Sequence, residues 1–90
     1  MELTLPIFVR PKGKEDDYDL PLSECNIKPV VFFTIENVEA IEMEGRKVTE
    51  FDSGATNFRC SLPIDVFITK VREAKKQELL WTNAVLNGEL

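Results

Sequence analysis

Ninety residues with sixteen acidic and eleven basic side chains, a net charge of −5, make one acidic domain and leave no room for two. The shortage of cationic surface argues against general affinity for nucleic acid or anionic lipid, since both depend first on positive charge. The chain has no histidine, the commonest general base and metal ligand, and no apolar run near the ~20 residues of a membrane span.

Leu3, Leu5, Ile7 and Val9 alternate with Glu2, Thr4, Pro6 and Arg10, which predicts a strand with one buried face, although Phe8 breaks the polar pattern on the other. Pro6 cannot donate to a ladder, so this strand is expected at a sheet edge. Pro11 to Asp19 is the least hydrophobic block and reads as an exposed loop. Its acids lack the alternating spacing and central glycine of a calcium loop, so a solvated loop is the reading. Leu20 to Pro29 fits either a packed loop or a short extra strand, limited by Pro21 and Pro29, with Cys25 as a small buried hydrophobe.

From Val30 the chain reads as β. Val30 to Ile35 is apolar and β-branched on both faces, which predicts a central or two-side-covered strand. Glu36-Asn37 then reads as a turn with Val38 tucked inward. Ile41 and Met43 alternate with Glu42 and Glu44 as the next strand, Gly45-Arg46 supplies a hairpin turn, and Lys47 to Phe51 a further strand. After a turn at Ser53-Gly54, Thr56, Phe58 and Cys60 alternate with Asn57 and Arg59 as the last strand. Val48 and Phe51 have opposite parity, a conflict that a bulge near Thr49-Glu50, or Phe51 packing across the hairpin end, would reconcile.

Leu62 to Leu86 is the longest element. Ile64, Phe67, Ile68, Val71 and Ala74 recur at helical steps and predict a helix burying one face. Ser61, Pro63 and Asp65 are its start signals, and Asn87-Gly88 its left-handed stop. The stripe is interrupted by Lys75 and Glu78. It then becomes apolar nearly all round at Leu79, Leu80, Trp81, Ala84, Val85 and Leu86. A helix of ~24 residues spans ~36 Å, against ~20 Å for a strand of ~6, so the helix should outrun its sheet and need other cover at its end.

These elements predict an α+β fold: a small, mostly antiparallel sheet of four or five strands with one long C-terminal helix packed on one face. They divide the single domain 1–90 into an edge strand with an acidic loop (1–29), a β-hairpin core (30–61) and the helix (62–87).

Little in the chain points to catalysis. Cys25 and Cys60 have neither zinc-ligand spacing nor a secretory signal and read as reduced thiols of a cytoplasmic protein. Arg59 beside Cys60 points to the opposite strand face, so it cannot stabilise a thiolate. No Gly-rich phosphate loop or nucleophile elbow is present, and Glu36, Glu39, Glu42 and Glu44 read as a solvated face. The expectation is a non-enzymatic, cofactor-free and metal-free chain acting as a protein-interaction or self-association module, such as a homodimer. Its docking anchors would be Leu79, Leu80, Trp81 and Val85, because large apolar groups with one Trp typify interface cores. The alternative is a nucleic-acid-binding regulatory domain using Lys70, Arg72, Lys75 and Lys76 on the helix with Arg46, Lys47 and Arg59. Neither a membrane nor a small-molecule substrate is implied.

Ile35-Glu36-Asn37-Val38 with Ile41-Glu42, then Gly45-Arg46-Lys47-Val48, Gly54, and Ser61-Leu62 leading into a helix, resembles the front half of LytTR-type DNA-binding domains. The same layout is similar to the short flagellar regulatory proteins of the swarming-motility type. The likeness covers roughly Phe32 to Val71 and rests mostly on turn and core positions. LytTR-type domains continue into further strands carrying the base-reading residues. This sequence has Trp81 to Leu90 there instead, so the resemblance assigns no DNA-contacting residue.

Overall fold

The alternation at the start of the chain folds as β1 (Leu3–Val9), with Leu5 and Ile7 fully buried. A computed structural model describes the backbone of residues 1–86 and the side chains of residues 1–78. After β1 come one 3₁₀ turn (Leu22–Glu24), β2 (Asn26–Phe32), β3 (Glu36–Met43), β4 (Arg46–Ser53), β5 (Thr56–Cys60) and α1 (Ile64–Leu86). All five strands join one antiparallel sheet in the order β2-β1-β5-β4-β3, and α1 packs on one face against β4 and β1. The fold is α+β, as the patterning predicts.

β1 is not the expected edge strand; it lies between β2 and β5. Its tolerance of Pro6 follows from register. Pro6 stands opposite Pro29 across the β1–β2 pair, and neither can donate, so this must be a pair that makes no bond across the seam. Antiparallel alternation then turns Pro6 toward β5 and Pro29 toward the open edge of the sheet. The Pro6 carbonyl accepts the Ser61 N–H at 3.0 Å, while β5 pairs with β1 in register only at Ile7 and Cys60. The missing donor therefore falls where that ladder is ending.

The expected central strand over Val30–Ile35 is instead the edge strand β2, which starts at Asn26 and ends at Phe32. Among the described residues β1 is its one strand neighbour, and only the face toward α1 is covered. Val30 and Phe32 turn to the core, whereas Ile27 and Val31 stay about half exposed on the other face. The ambiguous stretch before it divides: Leu22 is buried in the 3₁₀ turn, and Asn26 to Pro29 join the strand.

Glu36-Asn37 is the start of β3 rather than a turn. The β3–β4 register slips between Glu36 and Glu39, and Asn37 takes a left-handed φ of 52°, which asparagine adopts more readily than most residues. The bulge thus lies in β3 and not in β4. β4 keeps unbroken register with β5 and buries both faces: Thr49 and Phe51 toward α1, Val48 away from it. The parity conflict between Val48 and Phe51 reflects this second covered face. There the Leu22 N–H donates to Glu44 Oε2 at 2.6 Å and the Arg46 guanidinium lies over the Phe8 ring at 5.4 Å. Both contacts draw the β3–β4 hairpin end against the segment leaving β1.

The core under α1 joins Leu5, Ile7, Phe32, Phe51, Cys60 and Phe67. Phe51 is its hub, with ring centroids 4.9 Å from Phe32, 5.7 Å from Phe58 and 5.1 Å from Phe67. α1 opens just after Pro63, whose carbonyl accepts the Phe67 N–H at 3.0 Å, and Asp65 occupies the first turn as expected. Ser61 lies too far upstream to cap this start. The predicted stop at Asn87-Gly88 lies outside the described residues.

The turn into α1 is held by the buried Thr49, whose Oγ1 donates to the Leu62 carbonyl at 2.9 Å. Thr49→Val keeps the shape and deletes the donor, so the carbonyl loses its partner. The expected loss is about 1–3 kcal/mol, read as a lower urea midpoint at unchanged slope. Thr49→Ser, which keeps the hydroxyl, should lose less than Thr49→Val.

Candidate interaction surface

Helical periodicity in α1 places Phe67, Ile68 and Val71 on the sheet, and Ala74 is half-buried beyond them. The described side chains from Lys75 to Glu78 are all exposed. The N-terminal ammonium of Met1 pairs with a Glu78 carboxylate oxygen at 2.8 Å, so α1 reaches the start of β1 at this point. The twenty-three residues of α1 span ~34 Å, against ~27 Å for the eight-residue β4, so the helix is longer than the strand it packs on. The expected anchors Leu79, Leu80, Trp81 and Val85 lie outside the residues whose side chains are described.

β2 supplies exposed apolar surface that the sequence reading missed. Ile27 is 48%, Val31 45% and Phe33, just past the strand, 66% exposed. Strand alternation and register put Thr4, Pro6, Ile27, Pro29 and Val31 on one face, none of them charged. Phe32 opposes Leu3, so Phe33 lies at the same end of the sheet as Met1 and, through it, Glu78. Pro29 removes a donor from the middle of the open edge, which opposes extension of the sheet by another strand. Contact here is left to side chains.

The basic residues divide between elements. Arg46 and Lys47 are adjacent on β4 and so point to opposite faces, with Arg46 committed to Phe8. On α1, at about 100° per residue, Lys70 stands roughly 120° or more from each of Arg72, Lys75 and Lys76. Arg59 pairs with Glu50 at 3.4 Å. Arg72, Lys75 and Lys76 share one side of α1, within about 100° of one another, but Lys70, Arg46, Lys47 and Arg59 do not join them there.

Polar side chains settle other parts of the sheet. Asp52 accepts amide N–H groups from Asn57 and Asn37, each at 2.9 Å, and these bonds hold its carboxyl below the usual carboxylate range. They also tie the β3 bulge to β4 and β5. Cys60 is fully buried, and burial pushes its thiol up; the Leu62 backbone and the Lys70 charge only partly offset this. Among the described residues no three His, Cys, Asp or Glu side chains cluster to hold a metal ion, and no helix is long and apolar enough to cross a membrane. No family model matches the chain, and neither a curated protein nor a solved structure matches it.

Proposed function

We propose that this chain is a non-catalytic interaction module that pairs with a second copy of itself. The observation that carries this reading is the uncharged strip of Ile27, Val31 and Phe33, exposed along an edge strand of a chain in which 30% of residues are charged. Two copies at a net charge of −5 repel, which favours a contact made through uncharged surface. A stable dimer needs about 800 Å² from each partner, more than one seven-residue strand face offers. Leu79, Leu80, Trp81 and Val85, which continue α1 from Glu78, are read as the rest of the interface. The two free cysteines fit a cytoplasmic setting, where thiols stay reduced.

Sedimentation equilibrium on the wild type, Val31→Lys and Trp81→Glu tests the reading. The wild type should weigh twice its 10.3 kDa chain mass and both variants should shift toward monomer. Added salt should strengthen the dimer by screening its like charges. A wild type that stays monomeric at high concentration removes self-association as the function.

A further inference from the structure

Beyond the Ile7–Cys60 pair, β1 and β5 diverge, and the segment between β1 and β2 folds over the opening. A cleft of about 740 Å³ results, within the ~300–1,000 Å³ of small-molecule sites. Phe8, Phe58 and Leu20 give it apolar walls, and Arg10 and Arg59 both line it. Arg10 lies over the Tyr18 ring at 4.4 Å and spends one N–H on the Glu15 carbonyl at 2.8 Å. Arg59 spends its Nε on Glu50 at the long distance of 3.4 Å. The remaining N–H groups of both guanidinium forks have no acceptor among the described residues. The one carboxylate in the lining, Glu15, accepts the Gly13 N–H at 2.9 Å, and its own and the Gly13 backbone N–H hold its carboxyl below the usual range. The lining itself carries two cations against one anion, with Glu50 just outside it as the partner of Arg59.

We propose that this cleft binds a small organic anion, with a carboxylate, sulfonate or phosphate head on an aromatic or other apolar body. Guanidinium forks match the planar geometry of such oxyanions and can hold them through two parallel bonds. Arg10 is fixed in advance by its ring and carbonyl contacts, so little side-chain freedom is lost on binding. Arg59 gives up only one long, solvent-accessible pair to turn toward a ligand. The apolar walls receive the body of the ligand. This inference is independent of the self-association reading, since no residue of the exposed β2 strip lines the cleft.

The test titrates 1-naphthoate into the full-length ¹⁵N-labelled chain by NMR, with uncharged 1-naphthalenemethanol in parallel. Saturable shifts are expected at the amides of Phe8 to Arg10 and Thr56 to Arg59. The alcohol should bind about tenfold more weakly, as should naphthoate to Arg10→Gln and to Arg59→Gln. The comparison of acid with alcohol uses the unaltered chain, so it decides even where a variant fails to fold. Equal binding of acid and alcohol, shifts centred on Ile27 to Phe33, unchanged affinity in a folded variant, or no saturable shift would each overturn the proposal.

Discussion

Truncating Phe51 to Ala is expected to remove about 3–5 kcal/mol of stability, a large share of what the fold has. A domain of this length has only about 5–13 kcal/mol to lose. Phe51 is fully buried in β4, and its ring meets Phe32 of β2, Phe58 of β5 and Phe67 of α1. One side chain thus ties four elements, and aromatic pairs contribute about 0.5–1.5 kcal/mol each beyond burial. The site cannot collapse easily, because β4 is held between β3 and β5, with Phe51 paired to Phe58 and standing opposite the β3 bulge. Urea unfolding followed by circular dichroism gives the number. Phe51→Leu, which keeps most of the volume, should fall between wild type and Phe51→Ala. A loss below about 1 kcal/mol for Phe51→Ala would mean that the core is not organised around this ring.

Local pattern and sheet context account for what the sequence made legible. β5 and the start of α1 depend on neighbours in the chain: the alternation of Phe58 and Cys60, the helical steps of Phe67, Ile68 and Val71, and Pro63 before the first turn. Strand position depends on partners far away. Pro6 spoke for an edge, yet β1 is interior because its ladder with β5 ends beside that proline. The run Val30 to Ile35 read as covered on both faces, yet β2 lies at the edge and exposes Val31. Pro29, just ahead of that run, was the available sign of an edge. Val48 and Phe51 do stand on opposite faces, and Leu22 and Phe8, from separate stretches of chain, share the far face with Val48.

The candidate surface was less legible for the same reason. Apolar periodicity pointed to the end of α1, while the exposed strip on β2 needed the strand order to be seen. Adjacency of Arg46 and Lys47 suggested a basic patch, but strand alternation separates them. Arg10, Tyr18 and Arg59 lie in separate stretches of the sequence, and only the divergence of β1 from β5 brings them to one cleft.

Phe67→Ala asks whether α1 folds together with the sheet. Among the described residues Phe67 is the fully buried side chain of the helix, and its ring lies 5.1 Å from that of Phe51. Its truncation should again remove about 3–5 kcal/mol. Cys60 reports the consequence independently, because it belongs to the same core cluster and is inaccessible in the folded chain. In a Cys25→Ser background, labelling of Cys60 by a disulfide reagent requires opening, and where reclosure is fast the rate follows the open population. The substitution should therefore speed labelling by about 10² to 10³ or more. Circular dichroism should show sheet and helix melting together, since Phe51, Phe67 and Cys60 share one packed cluster. If labelling quickens while the sheet signal melts as in wild type, α1 undocks as a separate unit. If Cys60 stays protected and stability changes by less than about 1 kcal/mol, the helix is held by groups other than Phe67.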